Sequence, residues 1–93
     1  MQVTQGKERP LPEVVAVDSC LNMDGKLTVR SFVWRGRQVY ISATGRQWEE
    51  ESPAGCRRCV LVMSAGGEIF ELCLDGAEVL WYLRRASGRE ALV

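Results

Sequence analysis

Residues 57–85 carry two tight-turn signals, Gly66-Gly67 and Asp75-Gly76, that share one segment between them. A two-residue fold at the first sets Met63 against Phe70, Leu61 against Leu72 and Cys59 against Leu74. A second at Asp75-Gly76 sets Leu72 against Val79 and Phe70 against Trp81. Both pairings keep the same residues of the middle segment on one apolar face. Side chains in a strand alternate with a period of two, so a slip by one residue would turn that face to water. The pattern predicts an antiparallel meander in which Leu61, Phe70, Leu72 and Trp81 point inward. In the same register Cys59 faces the core and Cys73 faces away. Residues 77–86 also admit a helix. Asp75 with Glu78 three residues on has the form of an N-cap, and Gly88 would close the last turn. The alternation of Val79, Trp81 and Leu83, with Tyr82 beside them, favours the strand.

The upstream half reads the same way. Residues 13–20 are rich in β-branched side chains, and Asp24-Gly25 supplies a turn. Residues 26–34 and 37–44 form a hairpin about Arg35-Gly36, which places Trp34 opposite Arg37 and Phe32 opposite Val39. The other face then carries Leu27, Val29, Val33 and Tyr40, so neither face is purely polar. A sheet that curls into a barrel, or whose outer side meets a partner, has that property. Residues 46–49 continue the run beyond Gly45. The expected fold is all-β, a curved antiparallel meander of about six strands closing as a small barrel. It occupies 13–86, between an extended N-terminal arm over 1–12, with Pro10 and Pro12, and a tail over 87–93.

The chain has 93 residues, with 12 basic and 12 acidic side chains, so the formal net charge is zero. No global field draws it toward nucleic acid or an anionic membrane. No apolar run approaches the roughly 20 residues that span a bilayer. The first residues lack the apolar stretch of a secretory signal, which predicts a cytoplasmic protein with its four cysteines reduced. Histidine is absent. That removes the commonest general base near neutral pH and the usual Ser/His and Cys/His nucleophile arrangements. The chain is therefore expected to be no enzyme and to use no cofactor.

Two groups of residues have the spacing or composition of a site. Cys56 and Cys59 are separated by two residues, a spacing from which two thiolates can grip zinc, with Cys20 and Cys73 as the remaining ligands. No glycine follows Cys59 to shape a knuckle, and a buried, hydrophobe-like Cys59 is the plainer reading. The second group interleaves Arg30, Arg35, Arg37 and Arg46 with Trp34 and Trp48. Arginines on a sheet face neutralise phosphates while exposed rings stack on bases. The plainer reading makes the tryptophans cover residues with arginines laid over them, and Glu49-Glu50-Glu51 would repel a phosphate. Gly66-Gly67 lies between strands and is a hairpin turn, not a phosphate cradle.

The run Phe32-Val33-Trp34-Arg35-Gly36-Arg37-Gln38-Val39-Tyr40-Ile41, with Trp48 following, belongs to a recognisable pattern. So does Val60-Leu61-Val62-Met63 leading to Glu68-Ile69-Phe70-Glu71-Leu72 and then Trp81-Tyr82-Leu83. Together they resemble a small bacterial domain of unknown function that pairs a Trp-Arg-Gly-Arg hairpin with a later Phe-Glu-Leu strand. That domain occurs alone and in proteins associated with Y-family DNA polymerases. The resemblance spans about residues 14–85. It implies no catalytic residues, and a lean toward DNA metabolism. Family members usually carry aromatic residues near Cys59 and Cys73, so it implies that these thiols fill space.

The sequence thus points to a non-catalytic accessory or binding module. Its expected partner is another protein or a further copy of the chain. A nucleic-acid accessory surface and a zinc-stabilised domain are the alternatives, and no membrane is involved.

Overall fold

The computed structural model describes residues 11–53, 55–76 and 79–87. Six strands run in chain order: β1 (Glu13–Leu21), β2 (Leu27–Trp34), β3 (Arg37–Ser52), β4 (Gly55–Ser64), β5 (Ile69–Asp75) and β6 (Leu80–Ser87). Each pairs antiparallel with the next. β1 returns to β6 by setting Glu13 against Leu83, Val14 against Tyr82 and Val15 against Trp81, so the sheet closes into a barrel. The all-β meander and its closure are as the sequence predicts, and residues 80–87 form a strand rather than a helix. Residues 1–10 and 88–93, which hold most of the expected arm and tail, lie outside the described residues.

Val15, Val29, Phe32, Val39, Val60, Val62, Phe70, Leu72 and Leu83 fill the interior. Phe32 and Phe70 meet edge to face with centroids 5.0 Å apart, and Trp34 makes a second edge contact with Phe70 at 5.9 Å. Such contacts satisfy the ring quadrupoles as well as burying area. The Arg35-Gly36 turn takes φ of +54° and +76°. That left-handed pair is the hairpin turn whose twist matches its strands, and it holds Trp34 opposite Arg37 and Phe32 opposite Val39 as expected.

The register expected from the sequence is corrected at both C-terminal hairpins. At the first, Met63 faces Ile69, Val62 faces Phe70, Val60 faces Leu72 and Cys59 faces Cys73. The loop holds three residues, not two. Ser64 N–H donates to Glu68 O at 2.8 Å and Gly67 N–H to Ser64 O at 3.0 Å, with Gly67 at a φ of +90°. A turn followed by one left-handed residue is the usual three-residue hairpin. The extra residue moves Val60 and Val62 inward and puts Leu61 on the outer wall. It also sets Cys59 and Cys73 on the same side. At the second hairpin Leu72 faces Leu83, and Leu74 faces Trp81. The chain turns from Asp75 to Val79, whose N–H donates to Asp75 O at 2.7 Å. The register moves by four residues, an even number, so Leu83 inherits the inward side and Trp81 leans half-buried against the core.

Bulges explain the remaining departures. Between Asp18 and Ser19 the partner strand skips from Ser31 to Val29, leaving Arg30 as an extra residue in β2. The alternation changes phase there, so Leu27 and Val29 are buried together with Phe32, not on the opposite face. β3 carries an extra residue against β4 twice, between Ile41 and Ala43 and between Thr44 and Gln47. These bulges coil the strand, so its start pairs with β2 and the rest with β4.

Candidate functional site

Alternate residues of β3 to β6 point away from the core and form an outer wall. The register lines Trp48, Cys59, Cys73 and Tyr82 across it in one row, with Val14 of β1 beyond. Cys59 is 0% exposed and Cys73 is 2% exposed, although neither belongs to the barrel's interior cluster. Their sulfurs are 2.8 Å apart, with the Cys73 thiol donating to Cys59.

Charged groups complete the site. β6 gains an extra residue between the partners of Glu71 and Leu72, and that residue is Arg84. The bulge aims its guanidinium across the wall. Arg84 Nε donates to Glu71 Oε2 at 2.6 Å, while Nη1 and Nη2 donate to the two oxygens of Glu50 at 2.9 and 2.7 Å. Nη2 also lies 3.7 Å from Cys59 Sγ. Glu50 accepts a further bond from Trp48 Nε1 at 2.8 Å. These two donors, Arg84 first, pull the Glu50 carboxyl down from 4.5 to about 2. The same pairing with Glu50 raises Arg84. Burial pushes both thiols up, against the opposing pull of Arg84. At neutral pH the site therefore holds two protonated thiols beneath a fixed Glu50–Arg84–Glu71 ion network. No group of three or more His, Cys, Asp or Glu side chains suited to a metal occurs among the described residues.

Farther along the wall the surface turns apolar. Met63 faces Ala43 on one side and Ile69 on the other, and Leu61 follows two residues along β4. Near the loop that follows β4, the Tyr40 carbonyl accepts from Ala65 N–H at 3.0 Å. Met63 is 38% exposed, Ile69 39% and Tyr40 64%.

The sequence-predicted residues are dispersed. Arg30 pairs with Asp18 at 3.1 Å, Arg35 with Glu13 at 3.1 Å, and Arg37 with Glu68 at 4.0 Å. Arg35 stands over the Trp34 ring at 4.8 Å, and Arg46 over Trp48 at 5.3 Å. Trp34 leans on the core through Phe70, whereas Trp48 belongs to the outer wall. The six residues thus form two separate arginine–tryptophan pairs plus two ion-paired arginines. Arg46 has no carboxylate partner among the described residues. Cys56 and Cys59 lie three positions apart on the extended β4, which turns them to opposite faces. Cys56 is exposed and lines a cavity of about 400 Å³ at the barrel mouth with Leu21, Leu27 and Leu74.

The Cys59–Cys73 pair and the Arg84 network escape a reading of the sequence because each depends on an offset. One needs the three-residue loop at 65–67, the other the bulge at Arg84. The uninterrupted apolar run from Cys59 to Met63 is the signal that was present, since a strand buried on one face alone should alternate. Comparison of the chain with protein-family models, with curated proteins and with solved structures gives no match.

Proposed function

We propose that this chain is a non-catalytic accessory module that self-associates through the outer face of β3 to β5. The observation that supports this reading is the apolar outer side of β4. Met63, with Ala43 and Ile69 facing it, presents an apolar surface where an isolated barrel would carry polar side chains, and Leu61 extends it along β4 as far as the ion-paired Glu71 that faces it. A second copy is the partner chosen because the formal net charge is zero. Copies of the chain then do not repel one another, and near-neutral proteins associate readily. The same neutrality gives a polyanion no long-range attraction.

Light scattering after size-exclusion chromatography tests the reading across a concentration series. The expected result is a dimer or larger assembly that Met63→Lys converts to monomer without loss of the β-sheet circular dichroism signal. A strict monomer at every concentration overturns it.

A nucleic-acid surface is the second reading, and the stacked Arg46–Trp48 pair favours it. It predicts binding to single-stranded DNA that weakens with salt and is lost in Arg46→Glu. The resemblance to a polymerase-associated bacterial domain supports a lean toward DNA metabolism for such a surface, with the cytoplasm as its proposed compartment.

A further inference from the structure

We propose that Cys59 and Cys73 form a modification site, a cross-strand dithiol that a small hydroperoxide converts to an intrachain disulfide. Three features of the geometry support it. The two side chains are direct partners across β4 and β5. Their sulfurs, at 2.8 Å, need to close by under about 1 Å to reach bonding distance. A pocket of about 130 Å³ lined by Pro12, Arg57, Cys73, Asp75, Tyr82 and Arg84 leads to the Cys73 side. That volume admits a molecule the size of hydrogen peroxide. Cys59 lines no part of it and is completely covered.

The order of events follows from that access. The Cys73 sulfur attacks one peroxide oxygen and the O–O bond breaks. Cys73 becomes a sulfenic acid, and its thiol proton leaves with the departing hydroxide as water. The Cys59 sulfur then attacks the Cys73 sulfur and the S–O bond breaks. The S–S bond forms, and the Cys59 proton leaves with that oxygen as a second water. Two thiols are oxidised by two electrons, and one hydroperoxide is reduced. Arg84, 3.7 Å from Cys59 Sγ, stabilises negative charge developing on sulfur. Both thiols are buried, so this pair reacts more slowly than the exposed Cys20 and Cys56.

The test uses the full chain carrying Cys20→Ser and Cys56→Ser, substitutions at exposed positions, treated with hydrogen peroxide. The expected product is a chain with no covalent link to another copy, in which Cys59 and Cys73 together have lost two hydrogens and no thiol titrates in denaturant. After cleavage at Glu68, which lies between the two cysteines, the peptides bearing Cys59 and Cys73 remain linked until reduced. Two titratable thiols after treatment, oxygen retained on the sulfur of Cys59 or Cys73, or a covalent dimer would each overturn the proposal.

Discussion

Gln47 closes its carboxamide on the main chain of Leu27, accepting from the Leu27 N–H at 3.0 Å and donating to the Leu27 carbonyl at 2.7 Å. The amide takes the place of a strand partner. Here β2 and β3 have parted, because two bulges carry β3 over to β4. Thr44 does the same for Val29, whose N–H donates to Thr44 Oγ1 at 3.2 Å. The barrel wall is thus continued by side chains where its backbone ladder stops. Gln47→Leu leaves a half-buried donor and acceptor unpaired and should destabilise the fold by about 2–4 kcal/mol. Gln47→Glu keeps the bond to the N–H but sets a carboxylate against the Leu27 carbonyl, so it should not rescue the loss. Urea unfolding midpoints of the two variants check this.

The Arg35-Gly36 turn offers a cleaner backbone test. A Cβ added at Gly36 would meet nothing within 4 Å, so packing plays no part. Its φ of +76° is the whole cost. Gly36→Ala should therefore destabilise by about 1 kcal/mol, lowering Tm by about 4–8 °C for a domain of this size. An unchanged Tm would mean that the turn relaxes to another type.

These two devices also show where the sequence is legible. The Arg35-Gly36 turn could be read directly, because a two-residue loop leaves one pairing available. Gly66-Gly67 could not, because the backbone closes from Ser64 to Glu68 and uses Ala65 as well. That single residue exchanges the faces of Leu61 and Val62, and with them the company of Cys59. The bulges at Arg30, Ser42 and Arg84 are less legible still. Each is an extra residue in one strand that is visible only against its partner. The barrel was readable from alternation and turn chemistry, whereas the outer site is assembled from these offsets.

Acid should act on the fold through Glu50. Its carboxyl titrates near 2 in the native state, pulled down from 4.5 chiefly by Arg84 and then by Trp48. A depressed carboxylate contributes its stabilisation in full above the ordinary value and loses it as protons bind. Stability should therefore fall as pH drops from about 4.5 toward 2. Glu50→Gln should flatten the part of that decline owed to this group. The check is urea unfolding of both proteins from pH 6 downward, and parallel curves would remove Glu50 as the cause.

Arg84 is expected to show more than a charge requirement. It divides a planar fork between two carboxylates, two bonds to Glu50 and one to Glu71, and Glu71 is only 8% exposed. Lysine restores the charge but cannot make the paired bonds in that geometry. Arg84→Lys should recover less than half of the stability that Arg84→Ala loses. Full recovery in guanidinium unfolding would show that the network is a generic ion pair.

Ile69 and Phe70 are neighbours on β5, and their contrast separates the two faces of the wall. Phe70 is 1% exposed and touches both Phe32 and Trp34, whereas Ile69 is 39% exposed and faces Met63 outside. Phe70→Ala opens a cavity in the interior and should cost about 3–5 kcal/mol. Ile69→Thr removes nothing from that interior and keeps a β-branched side chain in the strand. Its effect on the dilute protein should stay within about 0.5 kcal/mol. At concentrations where the chain self-associates, the ranking changes in kind. Ile69→Thr should weaken assembly because it breaks the apolar surface shared with Met63 and Leu61. Unfolding at two protein concentrations measures both effects together, since an associating fold gains stability with concentration and a monomeric one does not. If the outer face is a docking surface, wild type should gain stability with concentration and Ile69→Thr should lose most of that gain.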